Sequence, residues 1–60
     1  MNAEDFQDYA PLDGWRWRLG AAYSDLATDM ESMVSPGEEL TVALQLLMDS
    51  RNCILGVRVD

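Results

Sequence analysis

Histidine and lysine are absent from this chain, which removes the commonest general base, the Schiff-base amine and most metal-ligand combinations. Cysteine occurs once, at Cys53, so no disulfide can close within the chain and no cluster points to zinc. Cys53 itself reads as a small buried hydrophobe. No stretch approaches the roughly 18 uninterrupted apolar residues of a membrane span. Residues 1–8 carry Glu4, Asp5 and Asp8 and lack a basic start followed by an apolar run, so a cytoplasmic location is expected rather than secretion. Serines stand without a base partner, and no GxSxG, P-loop, GxGxxG or HExxH spacing occurs. An enzyme is not expected, nor a catalytic residue, a metal or a cofactor. Cations are scarce too: four arginines face eleven acids, for a net charge of −7. That balance argues against non-specific binding to duplex nucleic acid but leaves small anions open, provided that a few arginines are gathered locally.

What is present is greasy for its size. Sixty residues make at most one small domain, near the lower limit of independent folding, yet 48% of them are hydrophobic. With no disulfide or metal to help, self-association is the expected way to bury them.

The strongest local signal is SPGEELTVALQLLMDSRNCILGV, residues 35–57. Ser35, Pro36, Gly37 and Glu38 have capping-box spacing with proline at the first helical position, so a second helix is expected over 36–58. Glu38 and Glu39 read as partners of the helix dipole rather than as an acid–base pair. At about 100° per residue, Leu40, Ala43, Leu47, Ser50, Ile54 and Val57 fall on one side and Leu44, Met48, Leu55 and Val59 on another. Thr41, Gln45, Asp49 and Asn52 form the one strip that is polar throughout. A helix with two apolar faces needs more than one packing partner.

Upstream, Asp13 is a plausible N-cap, and Trp15, Leu19, Ala22, Leu26, Met30 and Met33 recur at spacings of four and three, giving a first helix over 14–33. Gly20 is mildly unfavourable inside it and is expected to permit close helix approach. Only Val34 and Ser35 separate the two patterns, so the helices are antiparallel neighbours, with Leu19, Ala22, Leu26 and Met30 in the seam. Residues 1–13 show no sustained period, and Pro11 disfavours helix at Ala10. They read as an extended arm, with at most a short turn, whose Phe6 and Tyr9 cover apolar surface or line a pocket. The expected fold is therefore all-α: an antiparallel two-helix hairpin with an extended N-terminal arm, one domain over 1–60, assembling as a homo-oligomer.

The most unusual feature is WRWR, Trp15 to Arg18. Arginine beside aromatic rings suits phosphate and nucleobase recognition, by bidentate hydrogen bonds and by stacking. The same residues also suit a protein interface, with Trp15 in a core, Trp17 in an intersubunit gap, and Arg16 and Arg18 paired with Asp25, Asp29 or acids of another chain. Arg51 and Arg58 share one angle of the second helix inside an apolar sector. They either snorkel to solvent, meet a partner's acids, or gather around an anion.

Tyr9 and Pro11, then Pro36, Glu39, Thr41, Ala43, Leu44, Leu47 and Ser50, follow a pattern that resembles the small helical-hairpin domain of phage anti-defence sponge proteins, the anti-CBASS and anti-Thoeris families. The resemblance covers about fifty residues of the sixty. It implies a non-catalytic homo-oligomer, typically a hexamer, that sequesters cyclic nucleotide immune signals, with Tyr9 as a stacking platform and Thr41 near the ligand. The chain departs from that pattern at Glu38, Gln45, Cys53, Ile54 and Leu55, mostly where the family carries polar or aromatic residues. Tyr9, Trp15, Arg16, Arg18 and Thr41 are thus the candidate ligand-binding residues. Two other classes compete: an acidic module that blocks a basic surface on a host or phage protein, and a bare oligomerisation element.

Overall fold

The computed structural model describes residues 1–57, so the positions foreseen for Arg58 and Val59 lie outside the described residues. It contains a 3₁₀ turn, Ala3–Phe6, and two helices, α1 (Gly14–Met33) and α2 (Glu38–Leu55), with no strand among the described residues. The helices form the expected hairpin. Its dimensions are 41 × 17 × 13 Å, a rod one helix pair wide with little room for an interior.

The helix ends are built differently from the sequence expectation. α2 starts at Glu38 rather than at Pro36, and Gly37 occupies the N-cap with no side-chain bond. Pro36 instead stiffens the link. The Thr41 hydroxyl donates back to the Gly37 carbonyl, and Glu38 and Glu39 put negative charge in the first turn where the dipole favours it. A capping box does exist, but at the front of the chain: the Asn2 side chain accepts from the Glu4 amide while the Asp5 carboxylate accepts from the Asn2 amide. Asp13 is the N-cap residue of α1, as expected, though its side chain makes no cap bond. Next to it Gly14 has φ +59°, a conformation that costs other residues about 1–2 kcal/mol, so this glycine is what lets the arm swing into α1.

The arm corrects the sequence reading most. It is not extended: after the 3₁₀ turn it folds back along the hairpin and supplies the centre of the core. Phe6 is wholly buried, alongside Ala3, Ala27, Leu40 and Leu44, with Tyr23, Met30, Leu47 and Met48 packed around them. The consequence is that α1 is rotated from the orientation its hydrophobic stripe suggests. Its buried positions are Gly20, Ser24 and Ala27, small residues that allow the arm and α2 to come close. A side chain at Gly20 would meet the Tyr9 Cβ at 2.6 Å, so the close approach that Gly20 permits is by the arm and not by a helix. Of the expected seam, Leu19 and Met30 are only partly covered, and Ala22 and Leu26 are exposed.

On α2 the buried line is Leu40, Leu44 and Arg51. Thr41, Gln45, Asp49 and Asn52 face solvent as expected, with Gln45 donating to Asp49 one turn on. Cys53 is exposed, which corrects its reading as a buried hydrophobe, because that sector of α2 points away from both α1 and the arm. Arg51 does not snorkel. Its side chain is 8% exposed and its Nη2 donates to Asp8 Oδ1 at 2.6 Å, tying α2 to the arm, while Nη1 reaches Asn52 and Met48.

Arg51 Nε is buried without a hydrogen-bond partner, so the guanidinium relies on Asp8. Asp8→Ala strands that charge, and urea unfolding is expected to show a loss of about 2 kcal/mol. Adding Arg51→Met removes the stranded charge and is expected to restore most of the loss; equal stability of Asp8→Ala and the parent would show the pair to be idle.

Candidate ligand-binding end

The hairpin's open end, where α1 begins and α2 finishes, collects four of the five candidate residues. Successive side chains along one helix turn leave in different directions, and the structure separates them accordingly. Arg16 points toward α2: its Nε donates to the Leu55 carbonyl at 3.2 Å and its Nη2 to the Val57 carbonyl. The Leu55 carbonyl closes α2, where carbonyls lack partners within the helix and carry the negative end of its dipole, and the Val57 carbonyl lies just past it. The guanidinium also lies over the Trp15 ring, 4.5 Å from its centroid. Carbonyl partners do not neutralise it, and it makes no ion pair among the described residues. Arg16 and Trp15 therefore form a fixed plate: a half-buried cation held by two hydrogen bonds, backed by an indole face.

Tyr9 stands on the other side of α1. Its ring meets Trp17 edge-on, with centroids 5.7 Å apart and planes at 74°, the geometry that aromatic quadrupoles favour. Trp17 thus packs within its own chain against the arm, though it remains 45% exposed. Arg18 is exposed and has no hydrogen-bond or ion-pair partner among the described residues. Thr41 is not part of this end. It lies about 20 Å away along α2, beside a hollow at the loop end shared with Met1, Glu31, Pro36 and Gly37. One chain therefore does not bring all five together.

Between the helices, on the side away from the arm, runs a shallow groove of ≈ 400 Å³ lined by Leu19, Ala22, Tyr23, Leu26, Leu47 and Ser50. Its only polar feature is the Tyr23–Ser50 hydroxyl pair at 2.8 Å. Leu26 in this groove is 48% exposed, and elsewhere on the hairpin the chain leaves Leu46 at 63% and Met33 at 80% exposure. The apolar stripe of α1 that the sequence displays is thus real but lies at this surface. The reach of Arg16 to the end of α2 was hidden in the sequence, since nothing in the spacing of residues 16 and 57 announces a contact.

No helix among the described residues is long and apolar enough to cross a membrane. No group of three or more acid or cysteine side chains among them is placed to hold a metal ion. No protein-family model matches this chain, and no curated protein or solved structure matches it either.

Proposed function

We propose that this chain is a non-catalytic, self-associating hairpin that binds a small cyclic nucleotide and withholds it, as a phage anti-defence sponge does with a host immune signal. The observation that carries the reading is the Trp15–Arg16 plate, a pre-positioned cation with no ion pair among the described residues, beside an aromatic face in a chain of net charge −7. A phosphate pairs with the guanidinium N–H groups that the carbonyls leave free, a base stacks on the indole face opposite to the one Arg16 covers, and because Arg16 is already fixed, little ordering entropy opposes binding. The exposed apolar surface supports the homo-oligomeric half of the reading, a hexamer if the family resemblance holds. Tyr9 and Thr41 keep their candidacy on that resemblance, Thr41 through a neighbouring copy, whereas Arg18 has only its place in the WRWR run to recommend it. The site is in the host cytoplasm on this view, where the signal circulates.

Sequestration depletes a signal only if sites outnumber it and affinity is nanomolar. Calorimetric titration against cyclic di- and trinucleotides and cyclic ADP-ribose isomers is expected to find one such ligand, released intact on denaturation. Trp15→Ala is expected to weaken it about 5- to 150-fold, the range for one stacked base. Absence of heat with every member of the panel removes the reading, and release of an altered molecule replaces a sponge by an enzyme.

A second reading has its own support at the loop end, where Glu31, Glu38 and Glu39 are all exposed. An acidic module that masks a basic protein surface depends on these residues and not on Trp15. Neutralising them while leaving Trp15 intact separates the two.

A further inference from the structure

The open face of α1 carries a charge pattern that its own chain leaves unanswered. At about 100° per residue, Arg18, Asp25 and Asp29 fall within about 40° of one another, along the edge of the stripe formed by Leu19, Ala22 and Leu26. All three are exposed, and none makes an ion pair among the described residues. They cannot pair along α1 itself, since Arg18 and Asp25 are about 10 Å apart on the axis and pairs on one helix meet at three or four residues.

We propose that a second copy of this chain covers the groove with its own α1 running antiparallel, centred on Ala22. In that register Arg18 sits level with residue 26 of the second copy, between the second copy's Asp25 and Asp29, and the two-fold axis repeats the arrangement at the other end. Leu19 and Leu26 of both copies cover one another over the groove, and Ala22 allows the helices close approach. A parallel pairing sets Arg18 beside Arg18 and acids beside acids, which costs where the antiparallel seam gains. The seam supplies the self-association that the sponge reading needs, and it assigns Arg18 to the interface while Arg16 faces the ligand.

Sedimentation and disulfide trapping test it without any ligand. The wild-type chain is expected to be at least dimeric at micromolar concentration. Arg18→Glu is expected to weaken the association about tenfold, as both symmetric clusters turn repulsive, and Arg18→Glu combined with Asp25→Arg and Asp29→Arg to restore it. In a Cys53→Ser background, Ala22→Cys is expected to oxidise to a covalent dimer and Leu26→Cys not to, because antiparallel copies hold residue 26 about 12 Å from its counterpart along the axis. Covalent dimers from both variants, or an oligomer indifferent to the charge reversals, overturn the antiparallel seam and leave self-association standing. A monomeric wild-type chain removes the seam and the self-associating sponge together.

Discussion

Phe6→Ala is expected to leave the chain largely unfolded at physiological temperature. Phe6 is the largest side chain in the core and has no exposed surface. Its truncation removes the transfer energy of the ring and opens a cavity that a rod only 17 × 13 Å across has few atoms to fill. Such changes cost about 3–5 kcal/mol. Against a total of about 3–9 kcal/mol for sixty residues, that is most of the stability of one copy. Circular dichroism is expected to show the helical signal falling, with thermal unfolding shifted down by more than about 12 °C where it is still seen. A variant that melts like the parent would mean that the arm is decoration and the hairpin stands alone.

Gly20→Ala has the opposite sign from the one helix propensity gives. In an exposed helix interior this change gains about 1 kcal/mol. Here the new methyl meets the Tyr9 Cβ at 2.6 Å, and that atom is fixed to the backbone of the arm, so it cannot turn aside as the tip of a flexible side chain does. Overpacking of this kind costs about 1–3 kcal/mol, and the strain is relieved by lifting the arm. The expected result is a less stable protein in which Tyr9 leaves the edge of Trp17. Tryptophan fluorescence and faster proteolysis within residues 1–13 report it, while the helical signal of α1 persists. A higher melting temperature for Gly20→Ala would contradict the packing of the arm against α1.

These two positions also show what the sequence conceals. The helices are legible because their cues are local: the spacing of Trp15, Leu19, Leu26 and Met33 marks α1 to the residue at both ends, and the polar strip from Thr41 to Asn52 marks the wet side of α2. The start of α2 was displaced by two residues because the SPGE pattern reads as a cap, whereas the chain uses Gly37. The rotation of α1 was not legible. Periodicity weighs side chains by hydrophobicity and so passes over Gly20 and Ser24, which are buried because they are small enough to admit a third segment. The aperiodic arm, which hydropathy patterning treats as an appendage, holds Phe6.

The candidate site divides in the same way. WRWR announces itself by composition, and the neighbouring Trp15 and Arg16 do meet. What fixes Arg16 is the end of α2, a contact made by the fold and absent from any local motif. Arg51 is the converse case: its place in an apolar sector was visible, but its partner Asp8 lies in the arm and is recognisable only once the arm is seen to fold back.

The buried station of Phe6 bears on how the chain comes into being. During synthesis the ring is joined to the chain well before Leu40 and Leu44, the α2 residues that share its core cluster. Until α2 is complete the aromatic has nowhere dry to go, and α1 by itself shows water a strip of leucine and methionine. Order must therefore come late and nearly all at once, and a chain cut short within α2 is a sticky fragment rather than half of a working protein.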